Sequence, residues 1–337
     1  MRVLIVKLSS LGDVVHAMPA VQDLRAARPE ARIDWLVEPA FAPLVRRADG
    51  VAEAILAPLR RWRGAWWTAA TRHEFAALRR RLAATRYDAV VDLQGLTKSA
   101  LLARLARLAP DGHRWGLGNR TDGAGWEPAA RWLVDRPVRI EPHVHALDRG
   151  RRLVARAFGV PIDAAPGYGL RVRPPPAPAG APTVAFVHGT SRDDKLWPQS
   201  HWVALGRRLL DEGWRIALPQ GSETEQMRAE LIAASLQFER LPQVEVWPTL
   251  ALDAVIDRLA AVQGVIGVDS GLSHIAVALG LPHVQIYNFP TAWRTGPQPA
   301  HGNRRQVSVE GRQTPTPDAV EAAWRAVMPV LPQARAL

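Results

Sequence analysis

Short apolar runs alternate with longer amphipathic segments along the first half of the chain. The runs RVLIV, RIDWLV and YDAVVDLQ, which begin at residues 2, 32 and 87, are typical of strands. Residues 14–27 and 74–85 lie between them and have helical character, with apolar residues at helical spacing in the second segment. This alternation predicts βαβ units and therefore a parallel sheet.

A second series with the same rhythm occupies the other half of the chain. Its predicted strands are TVAFVH, RIALPQG, QGVIGVDS and HVQIYN, which begin at residues 183, 215, 263 and 283. Helices are predicted over residues 202–211 and 272–279, and Thr316 with the proline after it starts a terminal helix. The second half therefore predicts another sheet of the same kind.

A proline-rich segment separates the two series. Residues 161–182 contain seven of the 28 prolines, which is too many for a packed helix or a central strand. We predict an α/β protein of two Rossmann-like domains with their parallel sheets facing a central cleft. The predicted parts are a first domain, a linker, a second domain and a C-terminal helical segment that can pack back on the first domain, over residues 1–165, 166–182, 183–316 and 317–337.

The composition adds limits on the class of protein. With 47% hydrophobic and 22% charged residues, the 337-residue chain is typical of a globular protein. Its apolar runs are shorter than the roughly 18 residues of a membrane-spanning helix, and the first run is too short for a signal peptide. There is no cysteine, which excludes disulfides and thiolate metal sites. We expect a cytoplasmic protein.

The charge points to an anionic partner. A formal charge of +11 favours nucleic acid, a lipid surface or phosphorylated small molecules. Only three of the 43 cationic residues are lysines, namely Lys7, Lys98 and Lys195, and each follows a predicted strand. Because arginine is the usual cation of this chain, a lysine at these places suggests that a compact ammonium contacts phosphate.

Asp13 lies in the turn between the first predicted strand and the first helix, close to Lys7 and Ser10. In open α/β folds ligands bind at such turns. One interpretation is that Asp13 and Ser10 cap the helix and complement its dipole. The other is that the carboxylate accepts a proton from a substrate hydroxyl. The two interpretations are compatible.

Two strand ends of the second half present chemistry suited to a diphosphate. In VDSGLSH a strand ends at Asp269, and a helix begins whose free N–H groups attract an anion. In HGTSRDDK the hydroxyls and the ammonium of Lys195 offer further donors. The alternatives are a simple helix cap with a packed histidine in the first segment, and a solvated loop with Arg192 paired to an aspartate in the second.

Two other segments suggest a ribose and an acceptor. Glu225, after the strand RIALPQG, can accept two hydrogen bonds from ribose hydroxyls, or is an ordinary first-turn glutamate. The segment PLRRWRGAWW at residues 58–67 mixes arginines with tryptophans, which suits an anionic, lipid-linked acceptor. The alternative is an amphipathic segment with its tryptophans in the core.

Several common cofactor sites are not indicated. No GxGxxG follows a predicted strand, which disfavours a dinucleotide-dependent oxidoreductase, and the P-loop motif is absent. His143 and His145 form a pair without a third ligand, so the sequence does not predict a zinc site.

Taken in order, these segments resemble the ADP-heptose:lipopolysaccharide heptosyltransferases, and most closely their type I branch. The resemblance runs nearly end to end, through MRVLIVKLSSLGDVVHAMPA, RRWRGAW, YDAVVDLQGLTKSA, TSRDDKLWP and VDSGLSHIAVAL. It implies a GT-B fold and an inverting transfer of L-glycero-D-manno-heptose from ADP-heptose to a Kdo residue of Kdo2-lipid A. It also implies a monomer at the cytoplasmic face of the inner membrane, with peripheral contact, no nucleic acid and no metal or other cofactor.

The resemblance also implies roles for individual residues. Asp13 corresponds to the general base, and Lys195 to the catalytic group at the diphosphate. The implied donor-binding residues are Thr190, Ser191, Lys195, Glu225, Leu250, Asp269, Ser270, Gly271 and His274, and the implied acceptor-binding residues are Ser10, Arg60, Arg61, Arg63 and Lys98. Two positions on the acceptor side differ from the family pattern, since Gly64 stands in place of a lysine and Trp126 in place of an arginine.

A displacement at the anomeric carbon needs a base on one side and leaving-group stabilisation on the other. Asp13 and Lys195 belong to different predicted domains, so we expect closure of the cleft to bring them together. Three alternatives remain at this point. They are a paralogous heptosyltransferase for a later core sugar or another acceptor, a nucleotide-sugar epimerase of the same fold, and a non-catalytic binder of anionic surfaces or nucleic acid.

Overall fold

The computed structural model describes residues 1–162, 167–173, 180–236, 243–298 and 304–328. The chain divides into two units, Met1–Arg171 and Val172–Leu337. Each unit contains a six-stranded sheet in which neighbouring strands are parallel. The predicted α/β class and the two parallel sheets are therefore confirmed.

The first unit alternates strands and helices as the sequence pattern predicts. Its elements are β1 (Arg2–Val6), α1 (Leu11–Ala27), β2 (Arg32–Val37), α2 (Ala42–Arg46), β3 (Val51–Leu56), α3 (Leu59–Ala65), α4 (Ala69–Ala84), β4 (Arg86–Asp92), α5 (Thr97–Leu105), β5 (Arg107–Leu117), α6 (Pro128–Trp132), β6 (Arg136–Val138) and α7 (Ala146–Phe158).

The first sheet has the strand order β3-β2-β1-β4-β5-β6. Strand β1 lies at its centre, and the side chains of residues 3–6 are completely buried, as expected for a parallel strand that is covered on both faces. Apolar residues of α3, α4 and α5 pack in one core cluster with residues of β1, β2 and β4. Helices α1 and α7 pack together, and buried Arg151 donates two hydrogen bonds to Asp23 across them.

The second unit repeats this plan. Its elements are β7 (Thr183–Val187), α8 (Gln199–Asp211), β8 (Arg215–Leu218), α9 (Glu223–Leu236), β9 (Val244–Val246), α10 (Leu252–Ala260), β10 (Gly264–Val268), α11 (Gly271–Ala278), β11 (His283–Tyr287), α12 (Ala292–Thr295), β12 (Gln306–Glu310) and α13 (Pro317–Val327).

The second sheet has the order β12-β11-β10-β7-β8-β9. When the strands of each unit are counted from its own first strand, both sheets follow the order 3-2-1-4-5-6 of dinucleotide-binding folds. In that order strands 1 to 3 are added towards one side of the sheet and strands 4 to 6 towards the other, so the order reverses between the first and fourth strands. The switch points are therefore the pair β1 and β4 in the first sheet, and the pair β7 and β10 in the second.

The end of the first unit differs from the predicted boundary at residue 165. The amide of Asp49 donates to the carbonyl of Gly169 at 2.7 Å, and the amide of Arg171 donates to the carbonyl of Arg47 at 2.9 Å. These bonds attach residues 169–171 to the first unit, so part of the predicted linker belongs to that unit. Residues 166 and 174–179 of the predicted linker, and residues 163–165 before it, lie outside the described residues.

The C-terminal helix α13 packs within the second unit, whereas the sequence analysis allowed it to pack on the first domain. Its residues Val320 and Trp324 belong to the core of the second unit, where Trp324 meets Trp214 edge to face at 5.3 Å. The ring of Trp324 lies where a side chain at Gly264 would be, so this glycine makes room for the helix. Residues 329–337 of the predicted helical segment lie outside the described residues.

Candidate active site

Several of the predicted site residues of each unit follow the strands at its switch point. In a parallel sheet every loop that follows a strand lies at the same edge, and ligands of open α/β sheets bind there at the switch point. Ser10 and Asp13 follow β1, and Lys98 follows β4. Lys195 follows β7, and Asp269 follows β10. The two edges are described one after the other.

Asp13 is held in the first turn of α1. Its Oδ2 accepts hydrogen bonds from the amide of Ser10 at 3.0 Å and from the hydroxyl of Ser10 at 2.8 Å. Its Oδ1 lies 3.7 Å from the ammonium of Lys7. About 39% of the Asp13 side chain remains exposed, so the carboxylate is accessible to a ligand. Asp13 therefore helps to cap the helix, as the first interpretation of the sequence predicts, and part of its carboxylate stays exposed; its role as a proton acceptor remains a prediction.

The environment of Asp13 keeps its carboxyl ionised. Burial raises its pKa, but the charge of Lys7 and the hydrogen bonds from Ser10 outweigh burial and hold the pKa well below its ordinary value. His16 acts on the pKa of Asp13 in the same direction. An ionised carboxylate is the state that a proton acceptor needs.

Lys7 is a buried counter-ion of Asp13. Only 6% of this residue is exposed, and its ammonium also donates to the carbonyl of Leu93 at 3.3 Å. Burial lowers the pKa of Lys7, and the nearby charge of Arg149 lowers it too, while Asp13 and Asp92 raise it. The sequence pattern suggested a phosphate contact for Lys7, but its ammonium is directed towards the carboxylate of Asp13 in the same unit.

The loops after β1 and β4 are joined by side chains that sequence reasoning did not single out. The side-chain oxygen of Gln94 accepts from the amides of Leu8 at 3.0 Å and Ser9 at 3.3 Å. Asp92, at the end of β4, accepts from the amides of Gln94 and Gly95 and from the hydroxyl of Ser99. Burial raises the pKa of Asp92 to about 6. The available signal was a carboxylate that ends a buried strand, as Asp269 does.

Three further cationic or titratable side chains lie close to this edge and were not predicted as site residues. His16, His145 and Arg149 are each less than 10% exposed. The rings of His16 and His145 meet edge to face at 5.9 Å, and Arg149 donates to the hydroxyl of Thr121 at 3.2 Å. Asp13 is therefore an exposed carboxylate beside Lys7 and His16, with Arg149 close to Lys7, an arrangement suited to an anionic ligand with a hydroxyl to be deprotonated.

The arginines predicted to bind the acceptor lie on α3. Arg61 donates two hydrogen bonds to Glu74 at 2.9 and 2.7 Å, while the guanidinium of Arg60 lies over the ring of Phe41 at 5.5 Å. Arg63 is exposed, and Lys98 is exposed in the first turn of α5. The structure brings Ser10 and Asp13 into contact, but no described contact joins these four cations to them.

In the second unit Asp269 connects several of the predicted donor-site residues. Its carboxylate accepts from the ammonium of Lys195 at 2.6 Å and lies 3.3 Å from Nε2 of His274. The hydroxyl of Thr190 donates to the backbone carbonyl of Asp269 at 3.1 Å. Burial raises the pKa of Asp269, but His274 and Lys195 outweigh burial and hold the pKa well below its usual range. The strand ends of β7 and β10 are thus fixed to each other.

The start of α11 offers free hydrogen-bond donors. Ser270 is the N-cap of this helix, and the helix begins at Gly271, so the first backbone N–H groups have no partner within the helix. The hydroxyl of Ser270 is buried and has no hydrogen-bond partner. Ser191 is exposed in the neighbouring loop, where Arg192 forms an ion pair with Asp194. This pairing is the one that the solvated-loop alternative expected.

Glu225 and Leu250 extend the same edge. Glu225 accepts from the amide of Gly221 at 2.7 Å, and its carboxylate lies against Gly189, where any side chain would collide with it. Leu250 is half-buried in the loop between β9 and α10. Because β10, β7, β8 and β9 are consecutive neighbours, the residues that follow them form a row. The row runs from Asp269 through Lys195 and Glu225 to Leu250.

Among the described residues, no three carboxylate or imidazole side chains come together as a metal-binding group. In that part of the chain no helix has the length and apolar character needed to cross a membrane.

The sequence and the structure of this chain are both similar to those of known heptosyltransferases. Residues 75–323 match the family described as glycosyltransferase family 9 (heptosyltransferase). Lipopolysaccharide heptosyltransferase 1 of Escherichia coli strain K12 is 40% identical over 292 residues, which cover 85% of this chain and 88% of that protein.

Two solved structures are also similar to this chain. The structure of E. coli heptosyltransferase WaaC with ADP has a TM-score of 0.80 and 36% identity, over 96% of this chain and 98% of that one. The structure of WaaC with ADP-2-deoxy-2-fluoro heptose has a TM-score of 0.79 and 37% identity, with the same coverage.

Proposed function

The chain belongs to glycosyltransferase family 9, the heptosyltransferase family, and we propose that it transfers heptose from ADP-heptose to a sugar of the lipopolysaccharide core. The acceptor we propose is a Kdo residue of Kdo2-lipid A. The structural observation that carries the proposal is the row of residues at the carboxyl edge of the second sheet.

The row matches the parts of a nucleotide-sugar in order. Asp269, Lys195 and the N-terminus of α11 suit the diphosphate, Glu225 suits the ribose hydroxyls, and half-buried Leu250 suits the adenine. Neighbouring strands lie about 4.8 Å apart, so four consecutive strand ends span roughly 14 Å, which accommodates an extended nucleoside diphosphate. The similarity to a protein solved with ADP and with an ADP-heptose analogue supports this assignment.

The leaving group needs positive charge in the transition state. As the bond between the anomeric carbon and the diphosphate breaks, negative charge grows on ADP. Lys195 is already oriented by Asp269, and the free N–H groups of α11 point out of the helix start. Oriented donors of this kind stabilise developing charge without reorganising. In this proposal an excess of EDTA leaves the rate of ADP release unchanged.

The acceptor hydroxyl needs a base. We assign this role to Asp13, which is ionised, partly exposed and held by Ser10. Asp13 takes the proton, the acceptor oxygen bonds to the anomeric carbon, and the carbon–oxygen bond to ADP breaks. Attack opposite the leaving group inverts the configuration at that carbon.

The choice of acceptor rests on similarity and charge. The 40% identity to a heptosyltransferase 1 favours the first heptose transfer over a later one. A Kdo sugar carries a carboxylate, and Lipid A carries phosphates, so cations near the acceptor contribute to its binding. Ser10 and Lys98 at the first switch point, together with Arg60, Arg61 and Arg63 on α3, are the residues that we propose for this contact.

An assay of ADP release tests the proposal. Purified protein is supplied with ADP-heptose and, separately, with de-acylated Kdo2-lipid A, with the same acceptor already carrying heptose, or with no acceptor. We expect ADP only with the Kdo acceptor, and a product whose anomeric configuration is opposite to that of the donor. Release only with the heptosylated acceptor would identify a later transferase, and a product formed from donor alone would identify an epimerase.

A further inference from the structure

The end of strand β11 contributes to the second switch point, although the sequence analysis assigned no role to it. Strand β11 lies beside β10, on the side away from β7, so its carboxyl end reaches the same edge of this parallel sheet. Tyr287 is the last residue of the strand, Asn288 follows it, and Thr295 ends the short helix α12. Hydrogen bonds from these three residues act on Lys195 from two sides.

Asn288 holds the backbone on both sides of Lys195. Its side-chain nitrogen donates to the carbonyl of Asp194 at 2.9 Å and to the carbonyl of Leu196 at 2.9 Å. Only the nitrogen end of an amide can serve two carbonyls, so both of its N–H groups are used here. The lysine itself ends a single 3₁₀ turn, Asp193–Lys195, and such a turn has poorer hydrogen-bond geometry than an α-helix. Asn288 therefore fixes the backbone from which the lysine side chain starts.

Thr295 and Tyr287 act at the other end of the lysine, through Asp269. The hydroxyl of Thr295 donates to Oδ1 of Asp269 at 3.3 Å and lies 3.1 Å from the phenol oxygen of Tyr287. Because a threonine hydroxyl has one proton, and Asp269 receives it, the phenol is the donor to Thr295. Tyr287 is buried, and burial together with the charge of Asp269 raises its pKa well above the ordinary value, so the phenol keeps its proton.

The carboxylate of Asp269 connects these donors to the ammonium. Its Oδ1 accepts from Thr295 and lies 3.3 Å from Nε2 of His274, whereas its Oδ2 accepts from Lys195 at 2.6 Å. The contacts at Oδ1 oppose rotation of the carboxylate, so Oδ2 stays directed towards the ammonium. An ammonium has three N–H groups, so Lys195 can donate to Asp269 and also to a phosphate.

We propose that Asn288, Thr295 and Tyr287 are positioning residues that hold the ammonium of Lys195 in place for the diphosphate of a bound nucleotide. A long side chain loses rotamer freedom when a ligand orders it, and this loss weakens binding. Here the lysine is held at its backbone by Asn288 and at its ammonium by Asp269, so it is ordered before the ligand arrives. The inference rests on the proposed function in one respect, namely that Lys195 contacts the diphosphate.

Binding of ADP, measured by calorimetric titration without heptose or acceptor, tests these roles. Thr295→Val keeps the shape of the side chain but removes the hydroxyl, and Asn288→Leu keeps a similar size but removes both donors. We expect each variant to weaken ADP binding by roughly three- to ten-fold, as for the loss of hydrogen bonds that orient a charged group. Parent-like affinity in both variants would overturn the proposal.

Each variant has a matched control. Thr295→Ser keeps the hydroxyl and should bind ADP as the parent does. Asn119 in the first unit also donates from its side-chain nitrogen to two backbone carbonyls, those of Arg120 at 2.9 Å and Ile140 at 2.8 Å. Asn119→Leu therefore removes the same kind of contact away from the donor site and should leave ADP binding unchanged. A loss in Thr295→Ser as large as in Thr295→Val, or in Asn119→Leu as large as in Asn288→Leu, would contradict the assignment.

A double-mutant cycle shows whether the residues act through the lysine. Lys195→Met removes the ammonium and keeps an unbranched side chain. In the Lys195→Met background, Thr295→Val and Asn288→Leu should cause little further loss of ADP affinity, because the group that they orient is already absent. A general disturbance of the fold would weaken binding in both backgrounds. Additive losses would therefore overturn the inference.

Heptose transfer separates this inference from the proposed function. ADP release is measured with ADP-heptose and the de-acylated acceptor in parallel with ADP binding. If the parent protein transfers no heptose but the variants show the expected pattern of ADP binding, the proposed function fails and the positioning roles stand. If the parent transfers heptose and the losses are additive, the positioning roles fail alone. A parent protein that binds no ADP would overturn the inference whatever its transfer activity.

Discussion

Asp13 has two structural tasks that require the same charge state. It accepts both hydrogen bonds from Ser10, which orders the start of α1, and it presents an oxygen beside the buried ammonium of Lys7. Both contacts favour the ionised carboxyl, so the proposed base is in its ionised form over the whole physiological pH range. The hydrogen bonds that cap the helix therefore also fix the orientation of the Asp13 carboxylate.

The first prediction concerns the base. Asp13→Asn keeps an oxygen that can accept from Ser10 but cannot take a proton. We expect turnover to fall by roughly 10²- to 10⁴-fold, as for the loss of a positioned base. The dissociation constant for ADP should stay close to that of the parent, because the residues assigned to ADP lie in the second unit. The control is Asp111→Asn, an exposed aspartate of the same unit. Parent-like turnover in Asp13→Asn would exclude this role.

The second prediction concerns the pH dependence of stability. Burial raises the pKa of Asp92 to about 6, whereas an aspartate in an unfolded chain titrates near 3.9. Between these values the folded state binds more protons than the unfolded state, so this residue lowers the free energy of unfolding as the pH rises through that window. The loss is on the order of 2–3 kcal/mol and is complete about one pH unit above the folded-state pKa.

Asp92→Asn should remove this contribution, because an amide does not titrate. The difference in the free energy of unfolding, variant minus parent, is expected to increase between about pH 4 and pH 6 and then to level off. Urea unfolding at several pH values measures it. A difference that stays constant across this range would show that the carboxyl of Asp92 does not titrate there.

At the scale of elements, the close packing of the strands at the second switch point requires a glycine on β10. Strand β10 carries Gly267 as its fourth residue, where a Cβ would come within 2.8 Å of Val187 on β7 and would collide with the hydroxyl of Ser273. That hydroxyl donates to the carbonyl of Val268 at 2.6 Å and so fixes the turn from β10 into α11. The close approach of β7, β10 and α11 brings Thr190 and Asp269 into contact.

The third prediction follows from this packing. Gly267→Ala should lower the free energy of unfolding by about 1–3 kcal/mol, because the strand interior has no room for a methyl group. The control is Gly64→Ala in α3, where a Cβ meets nothing within 4 Å. The control should raise stability by about 0.5–1 kcal/mol, since alanine favours a helix over glycine. Equal effects of the two substitutions would contradict the packing argument.

Sequence reasoning found the elements with strong periodicity and missed those without it. The predicted strands that begin at residues 2, 32, 87, 183, 215, 263 and 283 are all present, within a few residues. Their polar ends, such as the QG after β8, belong to loops. Strands β3, β5, β6, β9 and β12 were not predicted. Of these, β5 and β6 contain proline, and β6 and β9 are only three residues long. Strand pairing, which is not local, overrides such composition.

At the scale of the whole molecule, the two units share a strand order but differ in chemistry. The first switch point has Asp13 with Lys7, and the second has Asp269 with Lys195. In the first pair the carboxylate is the accessible partner, at 39% of its side chain. In the second the lysine is more accessible, at 22% against 5% for Asp269. One edge therefore presents an accessible carboxylate, and the other presents an accessible ammonium.

The fourth prediction is that ADP binds at the second switch point, where the cation is the accessible partner, and not at the first. At a concentration of ADP about 100 times its dissociation constant, bound ADP adds about 2.7 kcal/mol to any opening that releases it. Hydrogen exchange should therefore slow by up to about 100-fold for backbone amides of residues 189–196 and 269–274. Amides of residues 8–13 and 94–97 should exchange as in the absence of ADP. Protection of the first-unit loops instead would mean that the donor site has been assigned to the wrong unit.

The sequence by itself determined the α/β class, the two series of strands and the strand-end positions of Asp13, Lys195 and Asp269. These features depend on local periodicity and on where glycine, proline and polar residues interrupt it, which can be read along the chain. Only the tertiary structure decided that β1 lies beside β4 and β7 beside β10. It also decided that Lys7 faces Asp13, and that Asp92 and Gln94 support the same edge. The contact between Gln94 and Leu8 joins residues 86 positions apart, and such partners are selected by the packing of the whole sheet.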